Sequence, residues 1–363
     1  MNERGDGAAR RGRRRAGAGE SAAPAVDRTL KYRHLENPFE PLRVFSDDQV
    51  AAIHEGALAL LENQGMKVLA DDARARYAQG GGQVDESTLM VRLDRGLVAQ
   101  SLASVPRTLT LHALDPARDV PVSGRAVAFA PTSGPPNIMD IERGRRAGTF
   151  EDFCNLMKLC QSYEAIHVLG SGVEPQDIPV HVRHLEVTRS QLLLTDKVPF
   201  IFSRGHQQIA DNFALLRIAH GLSEEQFAQR PCTYTVINTN SPLQLDIPMS
   251  EGIIDFAAAG QPTIITPFTL AGAMAPVTIA GALTLAHAEA LAGITLSQIT
   301  RAGAPVIYGS FTSNVDMKSG SPAFGTPEYV KASFGAGQLA RHLGLAGRST
   351  NAPGTHRAGG EAA

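Results

Sequence analysis

Residues 233–266 read TYTVINTNSPLQLDIPMSEGIIDFAAAGQPTIIT, and this stretch decides the fold. It opens with a short apolar run, Thr233–Ile237, whose β-branched residues are typical of a buried strand. Polar residues follow, then a helical stretch near 249–259, and then a second buried run, Thr263–Thr266. A strand, a helix and a strand in this order predict two parallel strands joined by a crossover.

The same unit recurs along most of the chain. Six such units occupy residues 127–343, about 36 residues each, which is close to the spacing of a (β/α)8 barrel. The predicted strands are Val127–Ala130, Ile166–Leu169, Pro199–Phe202, Thr233–Ile237, Thr263–Thr266 and Val306–Tyr308. The predicted helices lie near 150–162, 180–195, 207–220, 249–259, 278–300 and 327–343.

Two architectures share this local pattern, a barrel and a doubly wound open sheet. We favour the barrel, because no glycine-rich phosphate-binding turn follows the first strand and long loops follow nearly every strand. The predicted fold class is therefore α/β, a TIM (β/α)8-type barrel. It is expected to be incomplete at the C-terminus, since six strands, or seven with the stretch after Gly344, are fewer than eight.

The rest of the chain divides around the barrel region, 126–353. Residues 1–30 are rich in arginine, glycine and alanine and predict a disordered tail. Residues 31–125 predict an N-terminal segment of helical and irregular structure, in which Ser46-Asp-Asp-Gln49 resembles a capping box that opens a helix. Residues 354–363 predict a second disordered tail.

Composition excludes several classes of protein. A formal net charge of -2 gives no electrostatic case for a nucleic-acid partner. Three cysteines without a CxxC pair exclude a disulfide framework and a zinc knuckle, and they fit a reducing cytoplasm. The richest apolar region, 270–299, is interrupted by His287, Glu289 and Gln298, so it predicts a buried helix rather than a membrane span.

Polar and aromatic residues collect directly after the predicted strands. In a parallel barrel these loops face the substrate, so we expect them to form the ligand site. The sequence contains neither a G-x-S-x-G elbow nor a cluster of metal ligands, so the catalytic residues are unassigned and no metal site is expected. For Glu174 and His206, a surface role and a helix-start role remain open. The candidate ligand-binding residues are Glu174, Arg204, His206, Asn238, Asn240, Phe268, Tyr308, Phe311 and Asp316.

Residues 270–328 carry motifs that resemble a known family, the trimethylamine methyltransferase superfamily. Shorter matches lie near both ends of the chain, so the resemblance spans about residues 35–353. The motifs are Leu270-Ala-Gly-Ala-Met-Ala-Pro-Val-Thr278, Gly281-Ala-Leu, Ala288-Glu-Ala-Leu-Ala-Gly-Ile294, Gly303-Ala-Pro-Val-Ile-Tyr-Gly309, Asp316–Glu328, Asn37-Pro-Phe-Glu-Pro-Leu42 and Ser349-Thr-Asn-Ala-Pro353.

The resemblance implies a TIM barrel that moves a methyl group from an amine to the cobalt of a separate corrinoid protein. Nothing in the sequence marks a pyrrolysine, so the chain is similar to the non-pyrrolysine, glycine betaine methyltransferase-like branch, which acts on quaternary amines. The resemblance implies that this chain binds no cofactor, the corrinoid (cobalamin) being carried by the partner. Family members are longer, which implies a truncated chain here; a homo-oligomer is also compatible.

A quaternary ammonium already carries its charge and leaves as a neutral amine, so it needs no general acid. Its recognition calls for aromatic faces or carboxylates. By position at strand ends, we assign the cation to Phe268, Tyr308 and Phe311, with Glu174 or Asp316 for charge. The carboxylate of a betaine is assigned to Arg204, His206, Asn238 or Asn240.

Two other functions remain open from the sequence. An unrelated barrel lyase would need a Schiff-base lysine or a metal inside the barrel, yet the predicted strands contain no lysine, and Lys197 and Lys318 lie in loops. A catalytically inactive, truncated barrel fragment that acts only as a binding module is the second alternative.

Overall fold

A computed structural model describes residues 32–122 and 124–349. The predicted tails 1–30 and 354–363 lie outside the described residues. The helices are α1 Asp47–Asn63, α2 Asp71–Gln79, α3 Arg95–Ser104, α4 Phe150–Ser162, α5 Val180–Leu194, α6 His206–His220, α7 Glu224–Phe227, α8 Ile247–Ala258, α9 Ile279–Thr300 and α10 Pro327–His342, with a short 3-10 turn at Pro116–Arg118.

Strands are short, and several hold only two or three residues. They are β1 Leu35–Glu36, β2 Met66–Val68, β3 Gln83–Asp85, β4 Met90–Arg92, β5 Leu109–Leu111, β6 Val120–Val122, β7 Ala126–Val127, β8 Asn137–Asp140, β9 Gly144–Ala147, β10 Thr235–Ile237, β11 Gln244–Leu245, β12 Thr263–Ile265, β13 Phe268–Ala271, β14 Val306–Asn314 and β15 Gly347–Ser349.

Side-chain caps fix where the helices begin. Ser46 and Gln49 form the predicted capping box of α1, and Thr149 with Asp152 forms another at α4. Six helices, α4, α5, α6, α8, α9 and α10, lie at the places that the repeating pattern predicts. The helices α2 and α3 and the hairpin of β8 with β9 were not predicted.

Parallel pairing follows chain order along the main sheet. The carbonyl of Phe129 accepts hydrogen bonds from His167 and Val168. Bridges then join Val168 to Val198 and Phe200 to Tyr234. After these, β10 pairs with β12, β12 with β14 and β14 with β15, all parallel. In the described part of the chain this order never reverses, unlike a doubly wound sheet.

Both faces of this sheet are buried, as expected for parallel strands. One face contributes Tyr234, Ile264 and Ile307 to an apolar cluster together with residues from the neighbouring strands. The opposite face contributes Ile265 and Tyr308 to a larger core that the helices complete. We call the first the inner face and the second the helix face.

A hairpin of β5 and β6 closes the end of the sheet where the strands begin. The amide of His112 donates to the carbonyl of Pro231 at 2.7 Å, and that of Leu114 donates to the carbonyl of Asp196 at 3.1 Å. Leu111 and Val120 from the hairpin belong to the inner-face cluster. The opposite end, where the strands finish, is therefore the end at which a ligand can reach the inner face.

Helix α9 is apolar and buried along most of its length. By length and composition it could cross a membrane, but 78% of its most apolar window is buried inside the protein, as in a core helix. It carries a buried carboxylate, Glu289, which accepts hydrogen bonds from the hydroxyls of Thr239 and Ser241 and from the amide of Leu243. Glu289 thus ties the loop after β10 to the centre of the core.

We predict that Glu289→Ala lowers the free energy of unfolding by about 2–5 kcal/mol, because it leaves buried donors without an acceptor and opens a cavity. Urea denaturation measures the loss. The matched variant is Glu186→Ala on α5, whose carboxylate is 41% exposed and lies 3.5 Å from Arg189. It should change stability by less than about 0.5 kcal/mol. Equal losses in the two variants would contradict the structural role of Glu289.

A chain of hydrogen-bonded rings links three elements on the helix face. The hydroxyl of Tyr308 lies 2.9 Å from Nδ1 of His287, whose Nε2 lies 2.9 Å from Nδ1 of His54. The ring of His342 is 5.2 Å from that of His54. Burial lowers the pKa of His287 and of His54, and the neighbouring histidines lower both further, while Glu55 opposes this at His54.

This cluster should make the protein sensitive to acid. Unfolded histidines bind protons near pH 6.5, whereas His54 and His287 in the folded state bind them only at lower pH. The unfolded state therefore takes up more protons, and stability falls as the pH drops below about 6.5. We expect His287→Gln to make the decline between pH 7.5 and 5.5 less steep in urea melts. The exposed-residue variant His181→Gln should keep the full slope; a slope unaltered by His287→Gln would refute the assignment.

Candidate functional site

Four residues form one layer on the inner face where the strands end. Val236, Ile264 and Ile307 are aligned by the strand register and pack together on that face. Two residues further along each strand, side chains return to the same face. Continuing the register therefore aligns the layer, which consists of Asn238, Thr266, Gly309 and Arg348.

The side chain of Thr266 lies directly over Gly309 in this layer, which is possible because Gly309 has no side chain. A Cβ atom there would meet the side chain of Thr266 and would lie 2.9 Å from the carbonyl oxygen of Ile265. The hydroxyl of Thr266 is itself buried and has no hydrogen-bond partner among the described residues. The layer thus holds a buried hydroxyl that no described residue pairs with and that can bind a ligand.

Arg348 brings a positive charge to the layer. It aligns with Gly309, and Ala346, two residues earlier, packs against the inner-face cluster. Burial lowers the pKa of Arg348, and the nearby Tyr234 and Tyr329 partly oppose this. No Asp or Glu within residues 32–122 and 124–349 forms an ion pair with it. The guanidinium is a partly buried cation close to Tyr234 and Tyr329.

An aromatic cluster, Phe268, Phe311, Phe324 and Tyr329, lies just beyond the layer. Phe268 on β13 and Phe311 on β14 are register partners whose rings stack at 4.8 Å. Phe324 is 5.3 Å from Phe311, and Tyr329 meets Phe311 edge-on at 6.2 Å. Phe324 is 41% exposed, so the cluster has an open side.

The structure brings Phe268, Phe311 and Asn238 to this end of the sheet, as predicted from their strand-end positions. Asn238 is exposed. Asn240 is also exposed, and its side-chain oxygen accepts a hydrogen bond from the amide of Asp246 at 3.1 Å. Asn240 therefore organises its own loop.

Tyr308 is not with the other predicted aromatic residues. It is buried on the helix face, where its hydroxyl bonds His287. The alternation of a strand explains the difference, since Tyr308 stands between Ile307 and Gly309, which face inward. Its burial raises the pKa of its hydroxyl.

Glu174 and Arg204 neutralise each other. The carboxylate of Glu174 pairs bidentately with Arg204 and also with Arg183 at 3.1 Å. Hydrogen bonding to Arg204 holds the pKa of Glu174 below its usual range. The guanidinium of Arg204 lies 4.3 Å from the centre of the Phe202 ring. Both charges are thus engaged in ion pairs within the protein, with one carboxylate shared between Arg204 and Arg183.

The side chains of His206 and Asp316 also interact with neighbouring groups of the protein. Nδ1 of His206 lies 2.8 Å from Asp255, and its Nε2 lies 3.5 Å from Glu251. Burial alone would lower the pKa of His206, but these carboxylates raise it overall. Asp316 is exposed and accepts hydrogen bonds from the amide of Lys318 and the hydroxyl of Ser319, which lower its pKa and shape the loop after β14.

Sequence reasoning missed Thr266, Arg348, Phe324 and Tyr329. The sequence holds a signal for Arg348, because this residue lies in the stretch after Gly344 that could add a seventh strand. Phe324 and Tyr329 lie outside the strands, so only folding brings them to Phe311. In the described residues no group of three or more His, Cys, Asp or Glu side chains could hold a metal ion.

Comparison with known proteins gives consistent matches. Residues 10–362 match the sequence profile of the family described as trimethylamine methyltransferase. A glycine betaine methyltransferase from Desulfitobacterium hafniense (strain Y51) is 35% identical over 307 residues, 84% of this chain. A trimethylamine methyltransferase of the same species (strain DSM 10664 / DCB-2) is 32% identical over 302 residues, 83% of this chain. One from Methanosarcina thermophila is 26% identical over 309 residues.

These relatives are longer than this chain. The matched region covers 64%, 61% and 64% of their respective lengths, so the chain spans about three fifths of the curated relatives it matches.

We predict that Gly309→Ala lowers the free energy of unfolding by about 1–3 kcal/mol, because the added methyl group overpacks the layer against Thr266. The matched variant is Gly337→Ala on α10, where the new Cβ would lie 3.3 Å from the mobile end of Arg341. It should be neutral or stabilising by up to about 1 kcal/mol, since alanine favours a helix. Denaturant melts of the two variants compare them, and a fully stable Gly309→Ala variant would show that the layer is not closely packed.

Proposed function

This chain belongs to the trimethylamine methyltransferase family, and on that premise we propose that it takes a methyl group from a small quaternary amine and delivers it to a corrinoid protein. The observation that carries the proposal is the aromatic cluster of Phe268, Phe311, Phe324 and Tyr329 at the open end of the sheet. Aromatic faces attract a methylated ammonium by about 0.5–2 kcal/mol per contact.

We propose that the main sheet is an arc of a TIM (β/α)8-type barrel. Six strand segments pair in parallel and in chain order, from Val168 through to β15. Helices cover one face, and the β5–β6 hairpin closes the end where strands begin. Barrels carry their ligand sites at the end where the strands finish, and this supports a ligand site at the layer and the aromatic cluster.

The chemistry fits the residues that are present. In the transfer the bond between nitrogen and the methyl carbon breaks, the electron pair stays on nitrogen, and the amine leaves neutral. When bound, the reduced corrinoid of the partner protein supplies the nucleophile. The cluster holds the onium group and keeps water from it. The exposed positions of Asn238 and Phe324 leave an approach for the partner-borne group.

We further propose a cytoplasmic location, since all three cysteines, Cys154, Cys160 and Cys232, are free. Glycine betaine is the substrate we favour, because a methyltransferase of that name is 35% identical. A Schiff-base lyase gains no support from the lysine beside a strand. The ammonium of Lys197 is buried and donates to the carbonyls of Cys160 and Tyr163, at the end where strands begin.

The activity is tested by mixing the protein with cob(I)alamin and, separately, glycine betaine, proline betaine, carnitine and trimethylamine. We expect methylcobalamin, seen by its absorbance spectrum, with at least one quaternary amine. A protein that melts cooperatively yet methylates nothing would overturn the enzyme proposal, and binding without transfer would then favour the binding-module alternative.

Within that assay, we expect Phe311→Leu to lower kcat/KM about tenfold, because it removes an aromatic face and keeps most of the apolar volume. The matched variant is Phe334→Leu on the exposed side of α10, at 36% exposure. It should stay within about twofold of the parent protein. Equal effects of the two changes would argue against a cation site at the cluster.

A further inference from the structure

The positive groups near the open end of the sheet differ in whether they form an ion pair with a carboxylate. Arg183 and Arg204 both pair with Glu174, and His206 pairs with Asp255. Only Arg348, of the four, has no acidic partner among the described residues. A partly buried charge without a counter-ion is costly, so a ligand that supplies the counter-ion gains from binding there.

The surroundings of Arg348 add to this imbalance. The open edge of the sheet beside β15 is a groove of about 540 Å³. None of the described residues that line it is acidic, and the cations among them are Arg107, Arg125, Arg341 and Arg348. Such a groove concentrates anions by its field. The unpaired charge of Arg348 is thus part of a wider positive region.

Polar groups beside Arg348 suit a small carboxylate. The hydroxyl of Thr266 lies over Gly309, the register partner of Arg348, and it has no hydrogen-bond partner among the described residues. A guanidinium offers two parallel donors to a carboxylate, and a hydroxyl can donate a third hydrogen bond.

The ring of Tyr329 joins this position to the aromatic cluster. Tyr329 is close enough to Arg348 to interact with its charge, and it packs edge-on against Phe311. On the other side, Tyr234 also neighbours Arg348 and packs against Phe200 at 5.4 Å. Tyr329 therefore neighbours both the aromatic cluster, which can take an onium group, and the guanidinium, which can take an anion.

We propose that Arg348, with Thr266 beside it, anchors the carboxylate of a zwitterionic quaternary amine whose onium group lies against Phe268 and Phe311. This inference rests on the proposed function. It makes Arg348 a specificity-determining residue and replaces Arg204 and His206 as the carboxylate anchor. An amine without a carboxylate leaves the charge of Arg348 unpaired, so the site rejects it.

The test measures binding to the full chain by isothermal titration calorimetry with two probes, glycine betaine and tetramethylammonium. Both carry a quaternary nitrogen, and only the first carries a carboxylate. We expect the parent protein to bind glycine betaine at least tenfold more tightly. Arg348→Gln should weaken glycine betaine about 10- to 100-fold and leave tetramethylammonium within about twofold. Arg348→Lys should restore part of the loss.

The matched variant is Arg189→Gln on α5, whose side chain is 61% exposed and remote from the layer in the fold. It should bind both probes like the parent. Equal weakening of both probes by Arg348→Gln, or none for glycine betaine, would overturn the inference. Failure of the proposed function looks different: glycine betaine binds in an Arg348-dependent way, yet no methylcobalamin forms.

Discussion

The alternation of side chains along a parallel strand is the constraint on which the site depends. Each strand residue faces either the helices or the inner face, and hydrogen-bonded register carries that choice to the next strand. Ile265 and Tyr308 therefore enter the helix-face core together, while Thr266, Gly309 and Arg348 share the inner face. A shift of one residue in β14 would move Tyr308 to the inner face and Gly309 to the helix face.

The sequence predicted the helices well because their signals are local. Ser46 and Thr149 cap the helices they precede, and apolar periodicity gave the six helices of the repeat. The last three predicted strands lie within a few residues of β10, β12 and β14, and the second and third are joined to their neighbours only by bridges at Val168 and Phe200. The first, Val127–Ala130, was wrong as a parallel strand, since β7 at this place pairs antiparallel with β1. The order of pairing is not local, so the sequence alone left both a barrel and a doubly wound sheet open.

The sequence could predict which residues lie near one another at the strand ends, but not which polar groups already have protein partners. Phe268 and Phe311 meet because their strands are register neighbours, which a pattern of strands implies. Arg204 pairs with Glu174, a residue 30 positions away, and no local sequence pattern indicates this pairing. The hydroxyls of Thr239 and Ser241 are likewise taken by Glu289 on α9. Whether a polar group is free to bind a ligand depends on its tertiary contacts.

The order of the helices along the chain determines which of the helices that pack against α9 are synthesised before it. The helix contacts α1, α2, α3 and α8, all of which are made before it, and α10, which comes after. A 22-residue apolar segment thus emerges with most of its burying surface already synthesised. In a circular permutant that begins at α9, this helix would be synthesised before α1, α2, α3 and α8. Its apolar surface would then be exposed to chaperones and to the membrane-insertion machinery.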